Sequence, residues 1–289
     1  MRNQDYSGRG LTVLVFSDVI MFLAIIAVLM RLFSRYFILR TLGVDDWFAL
    51  AALVVSIGMV LAINLGVKYG TGKHDADNNI NTAILGKIRL AIQILYIFSS
   101  GLIKITILML YYRLFHRLRI WVIITIAFVV VMSIAFTFVA VFQCEPVGRF
   151  WTTYHGVNCN CILTLVFWCI VAVIFLVSNL WITILPLKTI LGLHLAWDKK
   201  ITVITFLGST GFITCVSAAV RLAYVVVLYK HHDYSRNSIP VYLCSVIEIC
   251  VALIASSIPS LRSGFPKSMD RLNSWRQKAS DPGSSSCTV

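Results

Sequence analysis

Seven apolar stretches follow one another through this chain, at 11–30, 47–67, 88–110, 120–142, 162–185, 201–228 and 241–258. Each is close to the roughly 20 residues that a helix, rising about 1.5 Å per residue, needs to cross a hydrocarbon core of about 30 Å. Lipid offers no partner to a backbone N–H or C=O, so a spanning segment must satisfy its own peptide groups, and a helix does so residue by residue. The pattern therefore predicts an all-α fold, a seven-transmembrane helix bundle. With 59% hydrophobic residues and a mean hydropathy of +0.86 over 289 residues, little polar sequence remains for a separate soluble domain. The expected division is a short outer segment at 1–10, the membrane domain at 11–262 and a cytosolic tail at 263–289. That tail is rich in Ser, Pro, Gly and charge, a composition that favours disorder.

A formal net charge of +13 raises the question of nucleic acid, and the placement of the basic residues answers it. With the N-terminus outside, Arg31, Arg35, Arg40, Arg113, Arg117, Arg119, Lys188, Lys199, Lys200 and the basic residues of the tail all fall on the inner side. They outnumber those outside, as the positive-inside rule requires. Basic inner loops face anionic lipid, so the expected partner is the bilayer, with no nucleic acid. The same loops are where a cytosolic signalling partner would dock. The first apolar run is too long for a signal peptide, carries Asp18 and lacks a small-residue cleavage site, so it is expected to stay as the first helix.

Cysteines divide by environment. Cys169, Cys215, Cys244 and Cys250 lie in spans, where a thiol behaves as a small hydrophobe. Cys144, Cys159 and Cys161 share the second outer loop, an oxidising location. Cysteines one residue apart are awkward to bridge, so Cys144 is expected to pair with Cys161 or, alternatively, Cys159.

Ionisable residues inside spans are where function leaves its mark, because each costs about 2.5 to 3.5 kcal/mol at the bilayer centre on insertion scales. By rise along their helices, Asp18, Arg221 and Glu248 share one depth near the outer surface. An arginine between two carboxylates is the expected arrangement, either as a clamp between helices or as a ligand site. Thr210, Thr214, Ser217, Arg221 and Tyr224 recur at helical spacing, which predicts an inward polar face. Lower down, Lys104 shares a face with Gln93, Ser100 and Tyr111 and lies at the depth of Asn179; if the two are neighbours Lys104 gains a carbonyl acceptor but no countercharge, and the alternative is that water or a backbone carbonyl satisfies it. The intramembrane polar set is thus Asp18, Arg221, Glu248, Lys104 and Asn179.

Several short motifs, in order, resemble those of the fungal rhodopsin-like domain family. Gly43-Val44-Asp45-Asp46-Trp47 opens the second span, and Tyr69-Gly70-Thr71-Gly72-Lys73-His74 follows it. Lys104 with Tyr112-Arg113-Leu114-Phe115, Cys144-Glu145-Pro146 with Trp151, Leu185-Pro186-Leu187, Arg221-Leu222, and Glu248 with Ala255-Ser256-Ser257-Ile258-Pro259 complete the series. The resemblance spans about residues 11 to 265. It implies a seven-helix integral membrane protein of filamentous fungi, a group that includes receptor-like proteins and proteins encoded in mycotoxin gene clusters. Members with a cysteine-rich module carry it before the first helix; with ten residues there, that module is not expected. Where most members have aspartate, seven residues before the proline, this chain has Asn179.

Retinal is not expected, because its Schiff base needs a lysine amine on the last helix and that helix carries Glu248 and no lysine. No other cofactor is indicated. The clusters His74, Asp75, Asp77 and His231, His232, Asp233 read as solvated loop residues, with no metal expected, and no span holds a nucleophile beside a base. The chain is therefore not expected to be an enzyme. Tyr111-Tyr112-Arg113 sits where G-protein-coupled receptors keep an acidic-Arg-Tyr switch, but the acid is missing; Arg113 is the cytosolic switch candidate. No repeated half or pair of broken helices marks a transporter. The reading is a multi-pass receptor-like sensor, in the plasma membrane, of an unknown small molecule that is extracellular or lipid-soluble. The alternative is a membrane accessory or transporter-like protein serving secondary-metabolite biosynthesis.

Overall fold

Each of the seven apolar stretches becomes a helix. The computed structural model describes residues 8–39, 43–71, 82–143, 164–191, 197–230 and 238–258, and among them no strand occurs. The helices are α1 (Gly8–Phe33), α2 (Val44–Lys68), α3 (Thr82–Leu114), α4 (Arg119–Val141), α5 (Thr164–Leu191), α6 (Trp197–Lys230) and α7 (Ser238–Ile258). They overrun the apolar runs by a few residues because polar end residues can complete a turn that lipid does not touch. Six are long and apolar enough to cross a membrane; in α6 the described apolar stretch is shorter, Gly211–Val227.

Helix α1 widens into a π-helical turn over Ser34–Leu39 before the chain reverses into α2. That second helix starts at Gly43, whose N–H donates to the Asp46 carboxylate at 3.0 Å. Asp45 and Asp46 together oppose the positive end of the helix dipole. At its far end the Thr71 N–H donates to Gly66 C=O at 2.9 Å and the Gly70 N–H to Val67 C=O at 3.2 Å. This Schellman ending requires a left-handed residue, and Gly70 supplies it with φ of 115°.

Helix α3 is the mast of the bundle. Of its apolar window 61% lies inside the protein, against 22% for α4, and α2, α4 and α5 all pack on it. Outside this arrangement α1 packs on α2 and α6 on α5. Helix α7 closes the ring, because its side chains and carbonyls bond to α1, α3 and α6. The main core joins Met21 and Val28, Met59 and Ile63, Ile97, Phe175, and Ile249 with Leu253. A smaller core around Leu108, Tyr111, Val122 and Ile182 ties α3, α4 and α5 at the other end. Large apolar side chains also face outward, among them Phe22 (62% exposed), Phe212 (70%) and Ile120 (73%). Water would make such faces sticky; lipid accommodates them.

Helices α3 and α4 meet through small residues, as membrane helices do. A Cβ added to Gly101 would stand 2.8 Å from Ser133 Oγ. Gly101→Val is therefore expected to push α4 away and cost about 1 to 3 kcal/mol. A lower melting midpoint of the detergent-purified protein checks this, and an unchanged midpoint would mean the two helices do not touch there.

Candidate functional site

The interior polar residues form two groups at opposite ends of the bundle. The first begins at Glu248 on α7, which is buried. Its carboxylate accepts the Tyr96 hydroxyl of α3 at 2.8 Å and the Asn179 Nδ2 of α5 at 3.0 Å. Arg221 of α6 lies with its guanidinium 4.0 Å from the centroid of the Tyr96 ring. Beside it, Lys104 donates to Ser178 Oγ at 2.6 Å and stands 4.3 Å from the Phe175 ring centroid. Among the described residues this interior holds two cations, Lys104 and Arg221, and one carboxylate, Glu248. Helices α3, α5, α6 and α7 all contribute, so the group knits the bundle together.

Above this group, toward the loops that join α2 to α3, α4 to α5 and α6 to α7, a cavity of about 60 Å³ opens between α3, α5, α6 and α7. Ile92, Val225 and Val241 give it apolar walls, while Arg89, Tyr96 and Tyr242 add polar ones. Three buried polar atoms have no hydrogen-bond partner among the described residues and belong to residues lining this cavity: Arg221 Nε, Gln93 Oε1 and Trp168 Nε1. Arg221 and Trp168 are only 4% and 5% exposed. Buried polar groups are normally paired, so three unpaired ones around one cavity mark where a ligand's polar atoms fit.

The second group sits at the other end. Arg31 of α1 is fully buried and donates from all three guanidinium nitrogens: Nε to Asp46 Oδ1 at 3.0 Å, Nη2 to Asp45 Oδ2 at 2.7 Å, and Nη1 to the Ser256 carbonyl of α7 at 2.5 Å. Arg35, one turn on, reaches Asp45 at 3.2 Å and Asp46 at 3.9 Å. Arg113, at the end of α3, approaches Asp45 Oδ1 at 3.7 Å and is 44% exposed. Arginines of α1 and α3 thus converge on one pair of adjacent aspartates of α2, and α7 joins them through its Ser256 carbonyl on Arg31. The short connection between α1 and α2 places those acids beside the arginines.

The structure brings together Arg221, Glu248 and Asn179 but corrects three sequence expectations. Asp18 does not join Arg221 and Glu248: it is exposed and accepts Asn64 Nδ2 of α2 at 2.9 Å. The buried stripe of α1 runs through Val13, Ser17, Met21, Ala24, Val28 and Arg31, and Asp18 is turned about 100° away from Ser17. Its azimuth on α1 sends it away from the bundle interior. Among the described residues Arg221 makes no ion pair with Glu248; the Tyr96 ring lies between them in effect, covered by one and donating to the other. Lys104 is partnered by Ser178 rather than Asn179, since adjacent positions on α5 point in different directions and Asn179 is taken by Glu248. On α6, Ser217 does face inward, donating to Cys244 C=O at 3.1 Å, whereas Tyr224 is exposed.

Gln93 and Trp168 were not foreseen as a pair lining a cavity, nor were Arg31, Arg35, Asp45 and Asp46 as a site. The acid that Tyr111-Tyr112-Arg113 lacks locally is Asp45, brought from α2. Cys169, Cys215, Cys244 and Cys250 are unbridged. Cys144, Cys159 and Cys161, the loop clusters His74, Asp75, Asp77 and His231, His232, Asp233, and the tail lie outside the described residues. Among the described residues no group of three or more His, Cys, Asp or Glu could hold a metal.

The family described as fungal rhodopsin domain matches residues 30–267. Two fungal proteins resemble the chain at low identity. One, from Metarhizium anisopliae, is the polyenoic acids biosynthesis gene cluster protein Ba17b, 27% identical over 88% of this chain and 73% of its own length. The other, from Arthrobotrys oligospora, is the receptor GIN3, 25% identical over 82% of this chain and 58% of its own length.

Proposed function

This chain belongs to the fungal rhodopsin domain family, and from that premise we propose that it is a receptor-like sensor of a small molecule. It is a multi-pass membrane protein; the proposal adds that it crosses the plasma membrane seven times, N-terminus outside and C-terminus in the cytosol. The basic residues at the Arg31 end support that orientation, and the length of α6, 34 residues, is ample for a seventh crossing. The sensing role rests above all on the cavity edged by Arg221, Gln93 and Trp168, whose unpaired atoms are offered to a ligand and whose floor is the Tyr96 and Glu248 network. It acts as a binding protein without catalysis and without retinal. A bound ligand would reposition α6 and α7 against α3; at the far end Arg31 holds both the Ser256 carbonyl of α7 and Asp45, which in turn approaches the half-exposed Arg113 of α3, where a cytosolic partner would read the change. Resemblance to a protein named as a receptor favours this role. Resemblance to a biosynthetic cluster protein favours a second reading, a membrane accessory of secondary metabolism.

Deletion of the gene separates the two. A sensor predicts altered transcription with solute uptake and efflux intact. Unchanged transcripts, with a metabolite accumulating or its flux altered, would overturn the receptor reading in favour of the accessory one.

A further inference from the structure

The polar atoms that edge the cavity also specify what it takes. Arg221 Nε lies on the side-on edge of the guanidinium, the edge that pairs in bidentate fashion with a planar carboxylate. Trp168 Nε1 can only donate, and a donor left buried seeks an acceptor. Gln93 adds an amide, whose Oε1 accepts and whose Nε2 donates. Arg89 adds a further cationic side chain to the wall. The charge balance below points the same way, because Lys104 and Arg221 face the single described carboxylate Glu248, and that carboxylate is already bonded to Tyr96 and Asn179. An anion is the species that low-dielectric surroundings with an excess of cations favour. Ile92, Val225 and Val241 then offer an apolar surface to the remainder of the ligand.

We infer that the cavity binds a free amphipathic acid, its carboxylate on Arg221 and Trp168 and its hydrocarbon body along α6 and α7. The inference rests on the sensor reading for its purpose but not for its test. The cavity, about 60 Å³, has room for the carboxyl end of the acid, and the hydrocarbon body extends along the apolar walls that Val225 and Val241 provide. Gln93 orients the acid by accepting from any hydroxyl or amide near the carboxyl group.

The test uses the full chain in phosphatidylcholine nanodiscs, with decanoate as probe, methyl decanoate as the uncharged control and empty nanodiscs to subtract partition into lipid. Saturable decanoate binding is expected, with methyl decanoate weaker by about tenfold or more, the size of a lost charged hydrogen bond. Arg221→Gln is expected to erase that preference. Trp168→Phe, which keeps the ring and its packing, is expected to weaken decanoate severalfold and leave methyl decanoate unchanged, so the inference stays testable if Arg221→Gln fails to fold. Equal binding of acid and ester, or unaltered decanoate affinity in Trp168→Phe, would overturn it. Loss of decanoate binding when phosphatidylserine replaces part of the lipid would overturn the free acid in favour of a lipid headgroup. Acid binding together with unchanged transcription on gene deletion would sink the sensor reading and leave this one standing.

Discussion

Arg31→Met is expected to lower the yield of monodisperse protein sharply and to reduce the melting midpoint in detergent by about 10 °C. Removing one partner of a buried ion pair costs on the order of 3 to 5 kcal/mol, and each kcal/mol is worth roughly 2 to 4 °C in a chain of comparable size. The loss is large because Arg31 is completely enclosed and serves three acceptors at once. Without it, Asp45 and Asp46 keep Arg35 and the distant Arg113, and the Ser256 carbonyl loses its donor. The remedy is as telling as the damage. Arg31→Met combined with Asp45→Asn should recover much of the lost stability, since a neutral buried group costs far less than an unpaired charge. Arg113→Gln, by contrast, should change the midpoint little, because a half-exposed pair is screened by water. If Arg31→Met melts like the wild type, the aspartates are solvated and do not hold α1, α2 and α7 together.

Glu248→Leu is expected to be comparably severe, by a different route. It leaves the Tyr96 hydroxyl and the Asn179 amide without their acceptor, each costing about 1 to 3 kcal/mol when buried. It also leaves Lys104 and Arg221 with no described carboxylate nearby. Size-exclusion chromatography of the fluorescently tagged protein should show aggregate in place of a single peak. Glu248→Gln keeps one acceptor oxygen and turns the other position into a donor; Asn179 can meet it by rotating its amide, so this variant should fall between. Adding Lys104→Met to Glu248→Leu should restore part of the yield by removing one of the two cations. A Glu248→Leu protein that runs and melts as the wild type does would show that these interior charges are not coupled to packing.

Helix number and placement were readable in advance because they depend on length and hydropathy, which are local properties of sequence. Lys104, Arg221 and Glu248 were recognisable for a related reason: charge inside an apolar run must be compensated, so its presence signals a polar partner nearby. Their partners were not readable, because partnership depends on the azimuth of each helix and on packing between segments distant in sequence. Asp18 illustrates the limit. Its depth followed from counting rise, but one position of rotation along α1 decides between the bundle interior and Asn64 at its edge. Ser178 and Asn179 make the same point on α5. The Arg31, Asp45 and Asp46 cluster was hidden by a rule that is otherwise sound: arginines at the end of a span are usually given to lipid headgroups. A signal was available nonetheless. Two arginines one turn apart close α1, and two adjacent acids open α2 across a very short connection, which is enough to suggest pairing across the hairpin. The cavity left no such trace, since Gln93 and Trp168 gain meaning only when α3, α5, α6 and α7 stand together.

The charge cluster at the α1 to α2 turn also bears on how the protein is made. A ribosome delivers α1 before α2, so Arg31 and Arg35 reach the membrane ahead of the acids that neutralise them and wait at its watery edge. The acids that neutralise them, Asp45 and Asp46, follow on α2, and the Ser256 carbonyl that Arg31 also holds comes much later in the chain. The hairpin of α1 and α2 is thus the smallest unit of this cluster whose charges balance, and α7 adds the last acceptor to Arg31.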